Sequence, residues 1–166
     1  MSSDTDHYKY LAFLSYSHAD NRDTPGERWG DWVHEALESF AVPPDLVGES
    51  SRFGTVPARI YPVFQDEKEL PTRSALDEAL KEALTDSRVL LVLCSPNSAA
   101  SHWVNAEIQK FKQMGRGDRI LALILSGEPN VAGKAGFQAD AECFPPALRF
   151  ALGAMERLTR PSRWSR

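Results

Sequence analysis

Val89-Leu90-Leu91-Val92-Leu93-Cys94-Ser95-Pro96-Asn97-Ser98-Ala99-Ala100-Ser101-His102-Trp103-Val104-Asn105-Ala106-Glu107 is the stretch that decides the fold. Six unbroken apolar residues form a strand with both faces covered. A polar loop follows, and a helix opens at about His102. Trp103 and Glu107 lie four residues apart and so share one helix face. An aromatic plane and a carboxylate therefore stand side by side at the mouth of a strand. A site that holds a flat cationic ring and stabilises a developing positive charge requires those two groups. No other acid in the chain is so well placed.

Working outward, the helix runs to about Met114 with Val104, Ile108 and Phe111 facing the core, and Gly115-Arg116-Gly117-Asp118 ends it. Ile120–Leu125 is a second wholly apolar strand, again expected to be covered on both faces. Upstream, Leu76, Ala79, Leu80, Ala83 and Leu84 form the buried stripe of a helix opening at Thr72 or Ser74, where Ser74 and Asp77 match a capping box. Ile60–Phe64 is a short strand, and Pro62 inside it argues for an edge or a strand entry. The first strand is Tyr8–Tyr16. A helix from about Glu27 to Phe40 follows it, with Trp29, Val33, Ala36, Leu37 and Phe40 at helical spacing and Trp29 and Trp32 read as core and rim. Ala41–Arg59 and Gly127–Cys143 are long loops, Pro146–Leu158 is one further helix, and no fifth strand is legible.

Alternating strands and helices imply a parallel α/β sheet with right-handed crossovers. Ligands of such sheets bind outside the carboxyl ends of the strands. Those ends carry Ser15-Tyr16-Ser17-His18, Phe64-Gln65-Asp66, Ser95-Pro96-Asn97 and Ser126-Gly127, all polar, and the Trp103/Glu107 pair follows the third.

The chain's 166 residues suffice for one domain with a real core. We read residues 1–7 as a flexible N-terminus, 8–158 as the domain and 159–166 as a basic tail, a linker or fragment end. Residues 1–146 carry 14 basic and 22 acidic side chains, a net of −8, which argues against nucleic acid as a partner. The apolar runs are too short to span a bilayer, and the acidic N-terminus is the reverse of a secretory signal. Cys94 and Cys143 give neither a disulfide framework nor metal spacing, so the expectation is a reduced, cytoplasmic protein with no metal.

Leu11-Ala12-Phe13-Leu14-Ser15-Tyr16-Ser17 resembles the first box of Toll/interleukin receptor (TIR) domains, a hydrophobic strand closing in Ser-Tyr. Tyr61-Pro62-Val63-Phe64-Gln65-Asp66-Glu67-Lys68-Glu69-Leu70 resembles their second box and BB loop. Val89–Ser95 with Ser98, Ser101, Trp103 and Glu107 resembles the third strand, CC loop and next helix, and Phe144-Pro145-Pro146-Ala147-Leu148 the late Phe-Pro element. The likeness covers about residues 8–150 in order and is nearest to the bacterial branch. It departs after Leu70, where many members have Gly and this chain has Pro71-Thr72-Arg73, and again after Phe150.

The resemblance implies a flavodoxin-like three-layer sandwich around a central parallel sheet, with the final strand–helix unit left open. Many bacterial and plant TIR domains, and one from an animal axonal protein, are NAD⁺ glycohydrolases, whereas animal receptor and adaptor TIR domains are mostly scaffolds. By resemblance Glu107 occupies the catalytic position and Trp103 lies one turn before it. Phe13, Ser15, Ser17, His18, Asp66 and Asn97 would lie near the substrate. Asp66, Glu67, Leu70 and Pro71 would form the loop that gates the pocket and pairs subunits. No cofactor is implied, since NAD⁺ is the substrate. The implied partners are NAD⁺, further copies of the domain, and a sensor domain or a partner protein. In bacteria such domains serve antiphage defence.

Breaking the nicotinamide–ribose bond passes through an oxocarbenium-like state. The leaving ring is neutral, so one carboxylate that stabilises the cation is enough. The ordinary alternative for Glu107 is a solvated helix acid paired with Lys110. For Trp103 it is a core aromatic, for His18 a surface histidine, and for Asp66-Glu67-Lys68-Glu69 a solvated loop. Ser15 and Ser17 read as groups that satisfy local backbone rather than nucleophiles, since no His–acid relay is visible. Two functions compete: an NAD⁺-consuming effector and a non-catalytic assembly module. A phosphoacceptor receiver is discarded because the strand ends offer Ser15-Tyr16 and Ser95 where it needs acids. No glycine-rich nucleotide fingerprint or P-loop is present.

Overall fold

Strand β1 (Tyr10–Ser15) and strand β5 (Ser87–Cys94) form the centre of a four-stranded parallel sheet of order β4-β1-β5-β6, with β4 at Val63–Gln65 and β6 at Ile120–Ile124. This computed structural model describes residues 7–22, 26, 28–66 and 74–150, and of 74–77 the backbone only. Phe13 pairs with Phe64 on one side and Leu90 on the other, and Leu90 in turn with Ile120. The chain is therefore α/β with a central parallel sheet. Pro62 directly precedes β4, which lies at the sheet edge. Proline there costs no interior ladder bond.

Helices α1 (Trp29–Ser39), α2 (Ser74–Thr85) and α4 (His102–Gln113) flank the sheet. Two cores result. On one face Phe13, Leu90, Val92 and Cys94 meet Leu80, Ala83 and Leu84 of α2 and Val104, Ile108 and Phe111 of α4. On the other Ala12, Leu14 and Leu93 meet Val33 of α1, with Leu37 at the margin. Gly30 lets α1 approach, because a Cβ there would lie 2.8 Å from the Tyr16 ring.

Three expectations are corrected. Helix α1 is less buried than its periodicity suggests: Trp29 and Trp32 stack edge-to-face in solvent, Ala36 and Phe40 are exposed, and only Gly30 and Val33 are buried. Ala79 of α2 is also exposed, and Leu76 lies outside the described side chains. Strand β6 is not covered on both faces, for Leu121, Ala122, Leu123 and Ile124 are exposed. Among the described residues β6 pairs only with β5, so the fully apolar run lies on an open edge.

The loops hold short elements that the sequence does not announce. Ser50–Ser51 (β2) and Gly54–Thr55 (β3) form a small antiparallel hairpin inside the first long loop. Pro96–Ala100 is a one-turn helix, α3. Helix α5 is only Pro146–Arg149: Phe150 is already extended, and residues 151–158 of the expected helix lie outside the described residues. In the second long loop the Glu142 carboxylate accepts backbone N–H bonds from Asn130, Val131 and Phe144 at 2.9–3.0 Å. Gly127 (φ 84°) turns the chain off β6 where a Cβ would meet the Ala141 carbonyl at 2.6 Å.

Candidate active site

Everything at the site hangs from how β5 ends. Ser95 caps α3: its hydroxyl accepts from the Ser98 N–H, and the Ser98 hydroxyl accepts from the Ser95 N–H. Pro96 sits at the first helical position, where a missing N–H costs nothing. Ser101 then closes α3 and caps α4 by accepting from the Val104 N–H at 3.3 Å. Two caps in seven residues fix where α4 starts, and hence where Trp103 and Glu107 stand.

Glu107 meets the end of β1. The Ser15 hydroxyl, buried at the carboxyl end of that strand, donates a short hydrogen bond to Glu107 Oε2. Ser15 therefore spends its hydroxyl on the acid and not on local backbone, which corrects the sequence reading. A charged acceptor makes such a bond strong and holds the carboxylate in one orientation. Trp103 is 40 % exposed, too open for a core aromatic, with its ring set edge-on to His102 at 5.4 Å. Trp103 and Glu107 line a groove of about 230 Å³ between α2 and α4, floored by Leu80, Leu84 and Ala106.

The remaining expected residues fall into three groups. Phe13 is fully buried and stacks on Phe64 at 4.9 Å, so it is the floor beneath Ser15 rather than an accessible wall. Ser17 caps a single 3-10 turn, His18–Asp20, by accepting from the Ala19 N–H, and His18 lies 5.6 Å from the Tyr16 ring. Asn97 is held by Asp20, as described below. Asp66 lies at the end of β4, its carbonyl accepting from the Tyr16 hydroxyl at 2.8 Å. Glu67, Leu70 and Pro71 lie outside the described residues.

Two polar clasps escaped the sequence reading. Asp20 accepts from Ser95 Oγ at 2.5 Å and from Asn97 Nδ2 at 2.8 Å, tying the loop after β1 to the loop after β5. Asp31 on α1 accepts from Asn21, Gln65 and Arg28. Burial works against its charged form, but those hydrogen bonds outweigh it and hold the carboxyl below its ordinary range. Gln65 also donates to the Tyr16 hydroxyl, so the root of the loop after β4 is pinned to both β1 and α1. The only available signal was Ser95-Pro96, a helix-start dipeptide. Asp20 acts across 75 and 77 residues and the Gln65 contact of Asp31 across 34, separations that leave no local signal. Cys94 is core filling, its thiol pushed up to about 12 by burial and by nearby Cys143 and Glu142. Among the described residues no three metal-ligating side chains gather, and no helix is long and apolar enough to cross a membrane.

A parallel α/β domain with an acid–aromatic pair at its strand ends is thus defined by topology and geometry alone. The family model described as "TIR domain" matches residues 57–144, and on that match the chain belongs to the TIR family. A curated relative, the NAD(+) hydrolase ApTIR of Actinoplanes sp., is 35 % identical over 162 residues, covering 95 % of this chain and 20 % of its own length. The chain thus spans about a fifth of that relative. Among solved structures, the TIR domains of the activated Roq1 resistosome, directly recognizing the pathogen effector XopQ, align at TM-score 0.43 and 23 % identity over 69 % of this chain and 55 % of that one.

Proposed function

We propose that this domain cleaves the nicotinamide–ribose bond of NAD⁺, with Glu107 as the catalytic carboxylate. The observation that carries the reading is the Ser15–Glu107 hydrogen bond beside a half-exposed Trp103. The name of the Actinoplanes relative supports the substrate. Trp103 packs against the pyridinium, with cation–π attraction that is lost as the ring becomes neutral. As the C1′–N bond breaks, both its electrons leave with nicotinamide and the positive charge moves to the ribose. Glu107, held by Ser15, faces that charge and stabilises it. Water then bonds to C1′ and loses its proton through Glu107 to solvent, giving ADP-ribose. An adenine nitrogen taking the place of water would give a cyclic isomer.

The exposed apolar residues of β6, which among the described residues pairs only with β5, support a second part of the reading, activation by assembly of several TIR domains, since exposed strand edges and apolar patches are pairing surfaces. The alternative, a scaffold without catalysis, draws on the same edge. We place the activity in the cytoplasm, under a sensor domain or partner protein, in antiphage defence.

Nicotinamide release from NAD⁺ by the purified chain, wild type against Glu107→Gln at several protein concentrations, tests both parts. A loss of about 10²-fold or more in the variant is expected, with wild-type specific activity rising with concentration. Equal rates in the two proteins would overturn the assignment of Glu107.

A further inference from the structure

The Phe-Pro element at residues 144–148 touches nothing in the site, yet it is tied to the helix that carries Glu107. Pro145 and Pro146 open α5 without an N–H between them, and Pro145 offers no side-chain cap. Ala147 therefore brings the first donor of α5, and Ala147 is buried. Its N–H is met from outside, by Asn105 Oδ1 of α4 at 2.7 Å. The carbonyls of Ala147 and Phe150 in turn accept from Lys112 Nζ, the second at 3.4 Å. Asn105 and Lys112 stand seven residues apart, about two turns on one face of α4. Asparagine is a poor residue for a helix interior unless its amide has such a task.

We propose that Asn105 is a positioning residue: by gripping α5 it fixes the rotation of α4 that sets Glu107 against Ser15. The inference rests on the reading of Glu107 given above. Val104, Ile108 and Phe111 press α4 onto the sheet, but apolar contact is non-directional and leaves a helix free to roll. At about 100° per residue, Asn105 and Glu107 fall on opposite flanks of that apolar stripe. One flank is held by Ala147 and the other by Ser15. A carboxylate about 6 Å from the helix axis moves about 1 Å for each 10° of roll. Displacements of that size are costly to catalysis.

The test measures nicotinamide release from NAD⁺ by wild type, Asn105→Ala, Asn105→Asp and Lys112→Met. Asn105→Ala should lower kcat about tenfold with KM within about threefold, because the carboxylate moves while the groove stays. Asn105→Asp keeps an acceptor for the Ala147 N–H and should return kcat to within about threefold of wild type. Lys112→Met should lower kcat by about threefold. Unchanged kcat in Asn105→Ala and Lys112→Met, beside lowered unfolding midpoints, would overturn the proposal and leave Asn105 as a cap for α5. A second measurement needs no turnover: urea unfolding of Asn105→Ala, Ser15→Ala and the double variant closes a cycle. If α4 rolls when one flank is released, the other contact is already weakened, and the double variant should lose less than the two single losses combined. Additive losses reject the coupling. Where Asn105→Ala does not fold, Lys112→Met takes its place in both measurements. Full cleavage by Glu107→Gln would sink the catalytic reading alone, leaving the unfolding cycle to decide Asn105.

Discussion

Strands β5 and β6 are neighbours, nearly alike in composition, and opposite in fate. Leu90, Val92, Leu93 and Cys94 of β5 are sealed between the two cores, whereas Leu121, Leu123 and Ile124 of β6 are 47, 41 and 46 % exposed. An apolar run reports that a strand is built to be covered, not what covers it. β5 has a strand on each side, α4 on one face and part of the α1 core on the other. Among the described residues β6 pairs with β5 alone, and on the α1 side an apolar groove of about 280 Å³ opens between the sheet and the β2–β3 hairpin, lined in part by Leu37, Phe53, Leu91 and Leu121. Ser15 and Glu107 lie on the closed half, where the end of β1 and helix α4 are fixed by buried contacts.

The contrast can be broken by matched truncations. Leu93→Ala removes a fully buried side chain and should cost about 3 kcal/mol, read from urea unfolding. Leu123→Ala, one strand over in the same register, should cost less than about 1 kcal/mol. Equal losses would mean that the face of β6 is covered in solution. Leu123→Lys extends the comparison: if that face mediates assembly, the dependence of activity on protein concentration should steepen, with stability little changed.

Next in size is the anchor of the loop that leaves β6. Glu142 brings three backbone N–H groups onto one carboxylate and lies 3.5 Å from the Arg149 guanidinium. Glu142→Gln turns an NH₂ toward at least one of those donors, and a buried unmet donor costs about 2 kcal/mol. The loss should appear in unfolding midpoints and as faster amide exchange at Asn130 and Val131. Unchanged exchange there would show that the loop is held by other contacts.

How much of this was legible follows the same physical divide. The four strands of the main sheet, α2, α4 and the Trp103/Glu107 pairing are local or periodic, and the spacing of Val104, Ile108 and Phe111 places α4 to within one residue of its observed end. The position of Glu107 beside Ser15 joins residues 92 apart, and the Asp20 clasp joins residues 75 and 77 apart. No spacing rule reaches that far. Trp29 and Trp32 misled for a related reason: helical period identifies a face, but only the fold shows whether anything lies against it. Asn97, expected near the substrate, donates its Nδ2 to Asp20, a contact that the sequence does not announce. Asp20→Ala should therefore loosen the start of α4 and lower kcat several-fold, while Asp20→Asn, which keeps one acceptor, should lose less.

The smallest expected effect separates the clasps by pH. The Asp31 carboxyl is held below its ordinary 3.8 by hydrogen bonds from Asn21, Gln65 and Arg28. A carboxyl whose folded pKa is depressed stabilises the fold fully above the unfolded value, and that contribution fades as pH falls through the folded one. Wild type should therefore exceed Asp31→Asn in stability at pH 7 and above, with the gap constant down to about pH 5 and closing below 3.8. The network is partly solvated, so the gap should be modest and should narrow in high salt through the Arg28 contact. A gap that stays constant to pH 2 would show that Asp31 acts through shape and not charge.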